Sequence, residues 1–303
     1  MKYLVTGGAG FIGSNLVDYL CQLGHEVIVI DDLSSGKKEY INPKAKFYKK
    51  DISSMRRESD YSLFEGVSVV FHLAAKAEVD PSIKNPLPFH DVNINGTLNV
   101  LMACREKKVK RIVYSASSSC YGNPTQIPTT EQAEINPMSP YALQKLTGEE
   151  YCKLFSKLYD LESVCLRYFN VYGPRQRDEG AYSLVTGIFM RQHDNGESLT
   201  VTGDGEQKRD FVSVQDVVEA NVLASQSDKV GKGESINIGN GEAITINELA
   251  KSISDDIVYV EKRYEPDITL ANISKAKKLL KWNPMVSFKT WITNYRREHE
   301  QTI

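Results

Sequence analysis

Hydrophobic residues recur along the first half of the chain in short β-rich runs, at 3–6, 27–30, 68–73, 111–115 and 163–168. Between these runs the apolar positions take helical spacing, over 12–23, 89–107 and 141–158. Short apolar runs suit strands buried on both faces, and the longer amphipathic stretches suit helices that cover them. The alternation predicts an α/β fold, a doubly wound parallel sheet with helices on both faces. Around Asn170 the texture changes. Residues 172–182 are polar and turn-rich, 183–196 carry helical spacing, and 199–211 read as strand, glycine turn, strand. A helix is expected over 214–226 and a strand over 235–238; residues 245–303 mix a short helix, a strand and a helix over 273–280. The pattern predicts a larger lobe over 1–170, to which the chain returns around 212–240. A smaller, discontinuous α/β lobe takes most of 171–303. There is no internal repeat or low-complexity tract.

The first apolar run ends in glycines at Gly7, Gly10 and Gly13, and a helical segment with Leu16, Val17 and Leu20 follows. A second apolar run, Val27 to Ile30, ends in Asp31, 18 residues beyond Gly13. Glycine permits a tight turn and lets the backbone approach a pyrophosphate. The amides near Phe11, Ile12 and Gly13 then face that anion with the positive end of the helix dipole behind them. Asp31 stands where a carboxylate takes ribose hydroxyls. The unit therefore predicts a dinucleotide site of Rossmann type. Asp31 and Asp32, with no arginine beside them, favour NAD over its 2′-phosphorylated form.

Composition narrows the function classes. The 303 residues are 41% hydrophobic, enough for a substantial core, and the formal net charge of −2 gives no reason to expect nucleic acid. No apolar run approaches the roughly 20 residues of a membrane helix, and no signal peptide is expected ahead of the first strand. Five scattered cysteines, Cys21, Cys104, Cys120, Cys152 and Cys165, show no zinc-ligand spacing. No metal site is expected. Free thiols in a reducing cytoplasm account for them.

Ser139-Pro140-Tyr141 suits a helix start: the serine caps free amides, and proline sits where its missing N–H costs nothing. Tyr141 and Lys145, four apart, share one helix face. A lysine ammonium roughly 6 Å from a phenol, at an effective dielectric near 20, favours the phenolate by about 3 kcal/mol, or about two pKa units. Tyr141 can then exchange a proton with a hydroxyl whose carbon gives up hydride. A third hydroxyl is expected beyond the strand 111–115, in the run Ser117-Ser118-Ser119. Ser117 would hold the reacting oxygen, and turn hydroxyls satisfying backbone remain the ordinary alternative for at least one of the three.

These motifs, with His72-Leu73-Ala74-Ala75, Asn93-Ile94-Asn95-Gly96-Thr97, Arg167-Tyr168-Phe169-Asn170 and Arg209-Asp210-Phe211 in order along the chain, resemble the extended short-chain dehydrogenases/reductases. The resemblance is to their NAD-dependent epimerase/dehydratase group, and within it to UDP-hexose 4-epimerases. It implies that Asp51 and Ile52 contact the adenine. It also implies that Leu73, Ala74, Ala75 and Lys76 line the cofactor near its pyrophosphate and ribose. Asn93 and Ser115 would lie along the nicotinamide half, with Tyr168 beside the nicotinamide. On the substrate side it implies Asn170 and Arg209 at the nucleotide diphosphate, Val185 and Val201 near the uracil, and Ser82 near the sugar. An ion pair with Asp210 is the alternative use of Arg209. The family also pairs two helices per subunit into a four-helix bundle, which implies a homodimer. Leu98, Leu101, Met102, Leu146, Tyr151 and Leu154 supply apolar positions beyond one core stripe.

The resemblance also separates activities. Nucleotide-sugar dehydratases and decarboxylases carry acids just before the Tyr-Gly of the serine strand, where this chain has Ser118 and Ser119. A 4-epimerase needs no such acid: it oxidises C4 to a transient 4-keto sugar with NADH and returns the hydride to the other face. A position gating the space beside the sugar's C2 substituent corresponds to Thr269, small enough for UDP-N-acetylglucosamine beside UDP-glucose. The family's arginine-x-glycine-acid motif is absent: residues 261–267 read Glu-Lys-Arg-Tyr-Glu-Pro-Asp, and Lys262 or Arg263 would take the arginine's place. The competing functions are a nucleotide-sugar dehydratase or reductase and a non-catalytic NAD-sensing protein. The intact Ser117, Tyr141 and Lys145 set argues against the sensor.

Overall fold

The computed structural model describes residues 1–176, 185–262 and 265–300, with side chains to Asn294. Thirteen strands are described: β1 (Lys2–Thr6), β2 (Glu26–Asp31), β3 (Lys46–Lys49), β4 (Val69–His72), β5 (Arg111–Ser117), β6 (Glu162–Tyr168), β7 (Asn170–Tyr172), β8 (Leu199–Thr202), β9 (Lys208–Ser213), β10 (Lys232–Ile238), β11 (Ala243–Thr245), β12 (Ile257–Val260) and β13 (Ile268–Thr269). The α-helices are α1 (Phe11–Gln22), α2 (Glu58–Tyr61), α3 (Val79–Lys84), α4 (Pro86–His90), α5 (Thr97–Glu106), α6 (Pro140–Tyr159), α7 (Val185–Asp194), α8 (Val214–Gln226), α9 (Ile246–Ile253), α10 (Ser274–Leu280) and α11 (Phe288–Glu300).

Seven parallel strands form the main sheet in the order β10-β6-β5-β4-β1-β2-β3. Alternate residues of each strand point to opposite faces, so β1 sends Tyr3 and Val5 to one core and Leu4 to the other. The first core holds Leu16, Val17 and Leu20 of α1 with Val217 and Val218 of α8. The second holds Val100 and Leu101 of α5 with Cys152 and Phe155 of α6. Each of the Val, Leu and Phe side chains among these contributes about 1.5–3 kcal/mol by leaving water. All five cysteines are free and buried. A four-stranded sheet built on β9, with β11, β13 and β7, adjoins the β8–β12 pair. Beside it Tyr172, Phe189, Phe211, Leu249 and Phe288 form a third core.

The structure adds elements that the hydrophobic pattern does not predict. β3 reads Lys-Phe-Tyr-Lys and is mostly exposed; as the sheet's edge it carries lysines where an interior strand would carry apolar residues. The helical stretch expected over 89–107 is divided. A π-helical turn over Asp91–Gly96 separates α4 from α5 and includes the buried Asn93. α11 is largely polar and is held to the third core by Phe288 and Ile292.

Candidate active site

A cleft of about 1230 Å³ crosses the carboxyl ends of the main-sheet strands. It includes the point between β1 and β4 where strand order reverses, the usual ligand position in open α/β sheets. At one end is the glycine turn. Gly7 has φ +72°, and a Cβ there would lie 2.6 Å from the Ala74 amide nitrogen. A Cβ on Gly13 would collide with the Gly7 carbonyl oxygen. The N-cap of α1 is Gly10, with no side-chain cap and no acid in the first turn. The free amides at Phe11, Ile12 and Gly13 therefore open onto the cleft, an arrangement suited to a diphosphate.

Asp31 closes this end. Its Oδ2 accepts from Ala9 N at 3.0 Å and its Oδ1 from Leu33 N at 2.8 Å. Burial raises its carboxyl above the usual range, with those two bonds opposing. Asp32, Asp51, Ile52, Leu73, Ala74, Ala75 and Lys76 also line the cleft. The β4 segment is fixed by His72, whose ring nitrogens meet the hydroxyls of Thr6 at 2.7 Å and Thr97 at 3.0 Å. Burial pushes His72 down to about 3, so it is neutral.

At the other end Ser139 caps α6 by accepting from Ala142 N, and Pro140 takes the first helical position. Tyr141 and Lys145 then face the cleft together with Ser115, Ser117, Ser118, Ser119 and Tyr168. Ser117 Oγ accepts from Ser119 N at 3.2 Å and from Ser119 Oγ at 2.9 Å. It also acts on the Tyr141 phenol, lowering its pKa against the larger effect of burial. Ser115 donates to the Tyr168 hydroxyl, which donates to Asn221. The Lys145 ammonium lies 4.7 Å from the centre of the Tyr114 ring. The expected lowering of Tyr141 by Lys145 is not found. Burial raises Tyr141 above its ordinary value, Ser117 opposes this, and the charge of Glu78 adds to it. Burial also brings Lys145 down to about 8. Desolvation is the largest influence on both groups.

From β7, β9 and β13, Asn170, Arg209 and Thr269 line the cleft. Asn170 Nδ2 donates to Asp210 O at 3.0 Å and to Thr269 Oγ1 at 3.3 Å. Arg209 pairs with Glu265 at 2.6 Å rather than with Asp210. Asp210 instead accepts backbone N–H bonds from Asn240, Gly241 and Ala271. Lys262 turns to Asp267, and Arg263 lies outside the described residues.

Four expected contacts do not line the cleft. Ser82 is buried; its hydroxyl donates to Val79 O and accepts from Tyr141 N, so it supports the start of α6. Asn93 is buried behind the cleft, bonded to both backbone groups of Lys76 and to Gln144. Val201 is inside the third core and Val185 packs against it. The sequence reading missed Tyr114, Gln144 and Glu78. For Gln144 a signal was present, since it follows Tyr141 by three positions on the same helix.

Residues 3–239 match the family model of the NAD dependent epimerase/dehydratase family. The chain belongs to this family. Its cofactor is NAD, and the glycine turn, the uncapped helix and Asp31 fit that dinucleotide. The chain is 39% identical over 310 residues to a putative UDP-glucose 4-epimerase of Methanocaldococcus jannaschii, covering 99% of each. Among solved structures, the UDP-glucose 4-epimerase of Thermotoga maritima with UDP-glucose is similar at a TM-score of 0.93 and 38% identity, covering 100% of this chain and 99% of that one. The UDP-N-acetylglucosamine 4-epimerase of Methanobrevibacter ruminantium M1, in complex with UDP-N-acetylmuramic acid, gives 0.92 and 36%, covering 100% and 99%.

Proposed function

We propose that this family member is a UDP-hexose 4-epimerase, acting on UDP-N-acetylglucosamine, UDP-glucose or both. The observation that carries the reading is the Ser117, Tyr141 and Lys145 set at one end of a dinucleotide cleft, with serines at 118 and 119 where dehydration would need carboxylates. NAD, when bound, supplies the hydride acceptor and donor at C4. Tyr141 takes the C4 hydroxyl proton as hydride leaves and returns it when hydride comes back. Ser117 holds that oxygen and the phenol together. Lys145, on the same face of α6 and still protonated at pH 7 with its pKa at about 8, contributes a positive charge that acts for the phenolate against the burial that opposes it.

On the cofactor side, Gly7, Gly10, Phe11, Ile12 and Gly13 receive the pyrophosphate, Asp31 and Asp32 the adenosine ribose, and Asp51 and Ile52 the adenine. Leu73 to Lys76, Ser115 and Tyr168 lie along the rest. Asn93 holds the Lys76 backbone in place rather than touching the cofactor. Asn170 and Arg209 hold the UDP-sugar. Thr269, small and on the cleft wall, leaves room for a C2 acetamido group. Incubation with a panel of UDP-hexoses without added reductant, followed by product separation, tests the reading. Interconversion at C4 is the expected result, whereas a dehydrated or net-reduced product, or no turnover, refutes it.

The molecule is further proposed to be a cytoplasmic homodimer. No described helix is long and apolar enough to cross a membrane. Leu143, Leu154 and Leu158 are exposed on α6, an apolar stripe suited to a two-fold helix pairing with α5. Leu101 and Leu146, expected at that surface, instead pack in and against the subunit's own cores, and Leu98, Met102 and Tyr151 are half-buried.

A further inference from the structure

The proton-transfer groups stand on separate elements: Tyr141 and Lys145 on α6, and Ser117 at the end of β5. Tyr168, beside them in the cleft, ends β6. One buried ionic network joins all three elements from behind. Glu149 lies one turn beyond Lys145 and two beyond Tyr141 on α6. Its Oε2 accepts from Arg167 Nε at 2.9 Å and its Oε1 from Arg167 Nη2 at 2.6 Å. Ser235 of β10 and Lys153 also donate to it. Arg167 immediately precedes Tyr168, and its remaining nitrogen, Nη1, donates to the Tyr121 hydroxyl at 2.8 Å. Tyr121 ends the short turn Ser118–Tyr121, which Ser117 caps, and its hydroxyl donates to Asn237 at 2.6 Å.

Glu149 and Arg167 are 1% and 3% exposed. Burial works to raise the Glu149 carboxyl, but the Arg167 bonds and charge bring it below its ordinary value, so the pair is ionised. A buried pair of this kind is a poor route to stability, since well-packed apolar residues often serve as well or better. What the pair supplies is direction: a two-pronged contact that an apolar cluster cannot match.

We propose that Glu149 and Arg167 are positioning residues, which set the register between Tyr141 on α6 and Ser117 on the serine turn through Tyr121. The inference rests on the reading of Ser117 and Tyr141 as the proton-transfer pair. A displacement of about 1 Å between such groups can cost about a hundredfold in rate.

Tyr121→Phe keeps the ring and the ion pair and removes the hydroxyl that joins them to the serine turn. Glu149→Gln keeps the shape and removes the charge. For both, kcat and KM on the UDP-hexose pair are measured per NAD-loaded site, well below the melting temperature. Hydrogen exchange by mass spectrometry is followed at 117–121 and 141–145, with α9 as the control. The expected result is a fall in kcat of about tenfold or more with KM little changed, and faster exchange at 117–121 but not in α9. Wild-type kcat with only a lower melting temperature, a rise in KM alone, or faster exchange throughout overturns the proposal. If Glu149→Gln does not fold, Tyr121→Phe decides. A wild-type protein with no turnover refutes the assigned reaction, and the exchange data then decide the positioning role separately.

Discussion

Lys145→Met should produce an enzyme that is more stable and nearly inactive. The Lys145 side chain is buried, and desolvation brings its pKa from 10.5 to about 8. At pH 7 both folded and unfolded chains carry the proton, so the folded state bears the full cost of the buried charge. That cost is the pKa difference of about 2.5 units at 1.36 kcal/mol each, or about 3 kcal/mol. Above pH 8 the folded chain releases the proton while the unfolded chain keeps it. The cost therefore falls as pH rises, to about 2 kcal/mol at pH 9 and about 1 kcal/mol at pH 10. The Tyr114 ring, 4.7 Å from the ammonium, returns up to about 2 kcal/mol. The net gain for methionine, close to lysine in volume, is thus about 1–3 kcal/mol at pH 7. Urea unfolding of both proteins from pH 7 to pH 10, with NAD removed from each so that ligand binding does not contribute, measures it. The advantage should shrink steadily with rising pH. A variant less stable than wild type at pH 7, or a difference independent of pH, refutes the reasoning.

Three further outcomes are expected. Asp31→Asn retains the volume but loses the charge that meets the ribose, and should weaken NAD binding by about 10–100-fold in a fluorescence titration; unchanged affinity removes Asp31 from the cofactor site. Thr269→Tyr should reduce kcat/KM for UDP-N-acetylglucosamine far more than for UDP-glucose, because a clash confined to one ligand is an efficient source of specificity; equal losses mean that Thr269 is not the gate. Leu154→Glu with Leu158→Glu places charges on the exposed stripe of α6 and should lower the mass found by light scattering from dimer to monomer, and a wild-type monomer at micromolar concentration refutes the dimer itself.

The glycine turn, Asp31 and the start of α6 were legible because each is a local rule. Gly7 and Gly13 lie where no Cβ fits, and Ser139 and Pro140 are what a helix start requires. The cleft followed, since parallel strands bring the ends of distant segments together. What spacing could not convey was direction and solvent access. Ser82, which the resemblance placed near the sugar, instead turns its hydroxyl to the Tyr141 backbone. Val201 is as apolar as a base-stacking residue, but alternation along β8 turns it into the third core. The Tyr141–Lys145 spacing placed both groups on one face, but not how dry that face would be, and dryness governs their proton affinities.

The seventh strand of the main sheet comes late in the chain. β10 pairs with β6 only after residues 232–238 have been made, some sixty residues after β6 itself. During synthesis β6 is therefore the sheet's temporary edge, presenting the apolar run Val164, Cys165 and Leu166 with one row of backbone groups unpaired. Bare apolar edges of that kind invite pairing with other nascent chains. The carboxylate of Glu149 also waits for Ser235 until the same moment. The main sheet is thus not something the ribosome can complete before β7, β8 and β9 have been made. A fragment cut at residue 170, although it holds the glycine turn, Ser117, Tyr141 and Lys145, would carry that edge permanently.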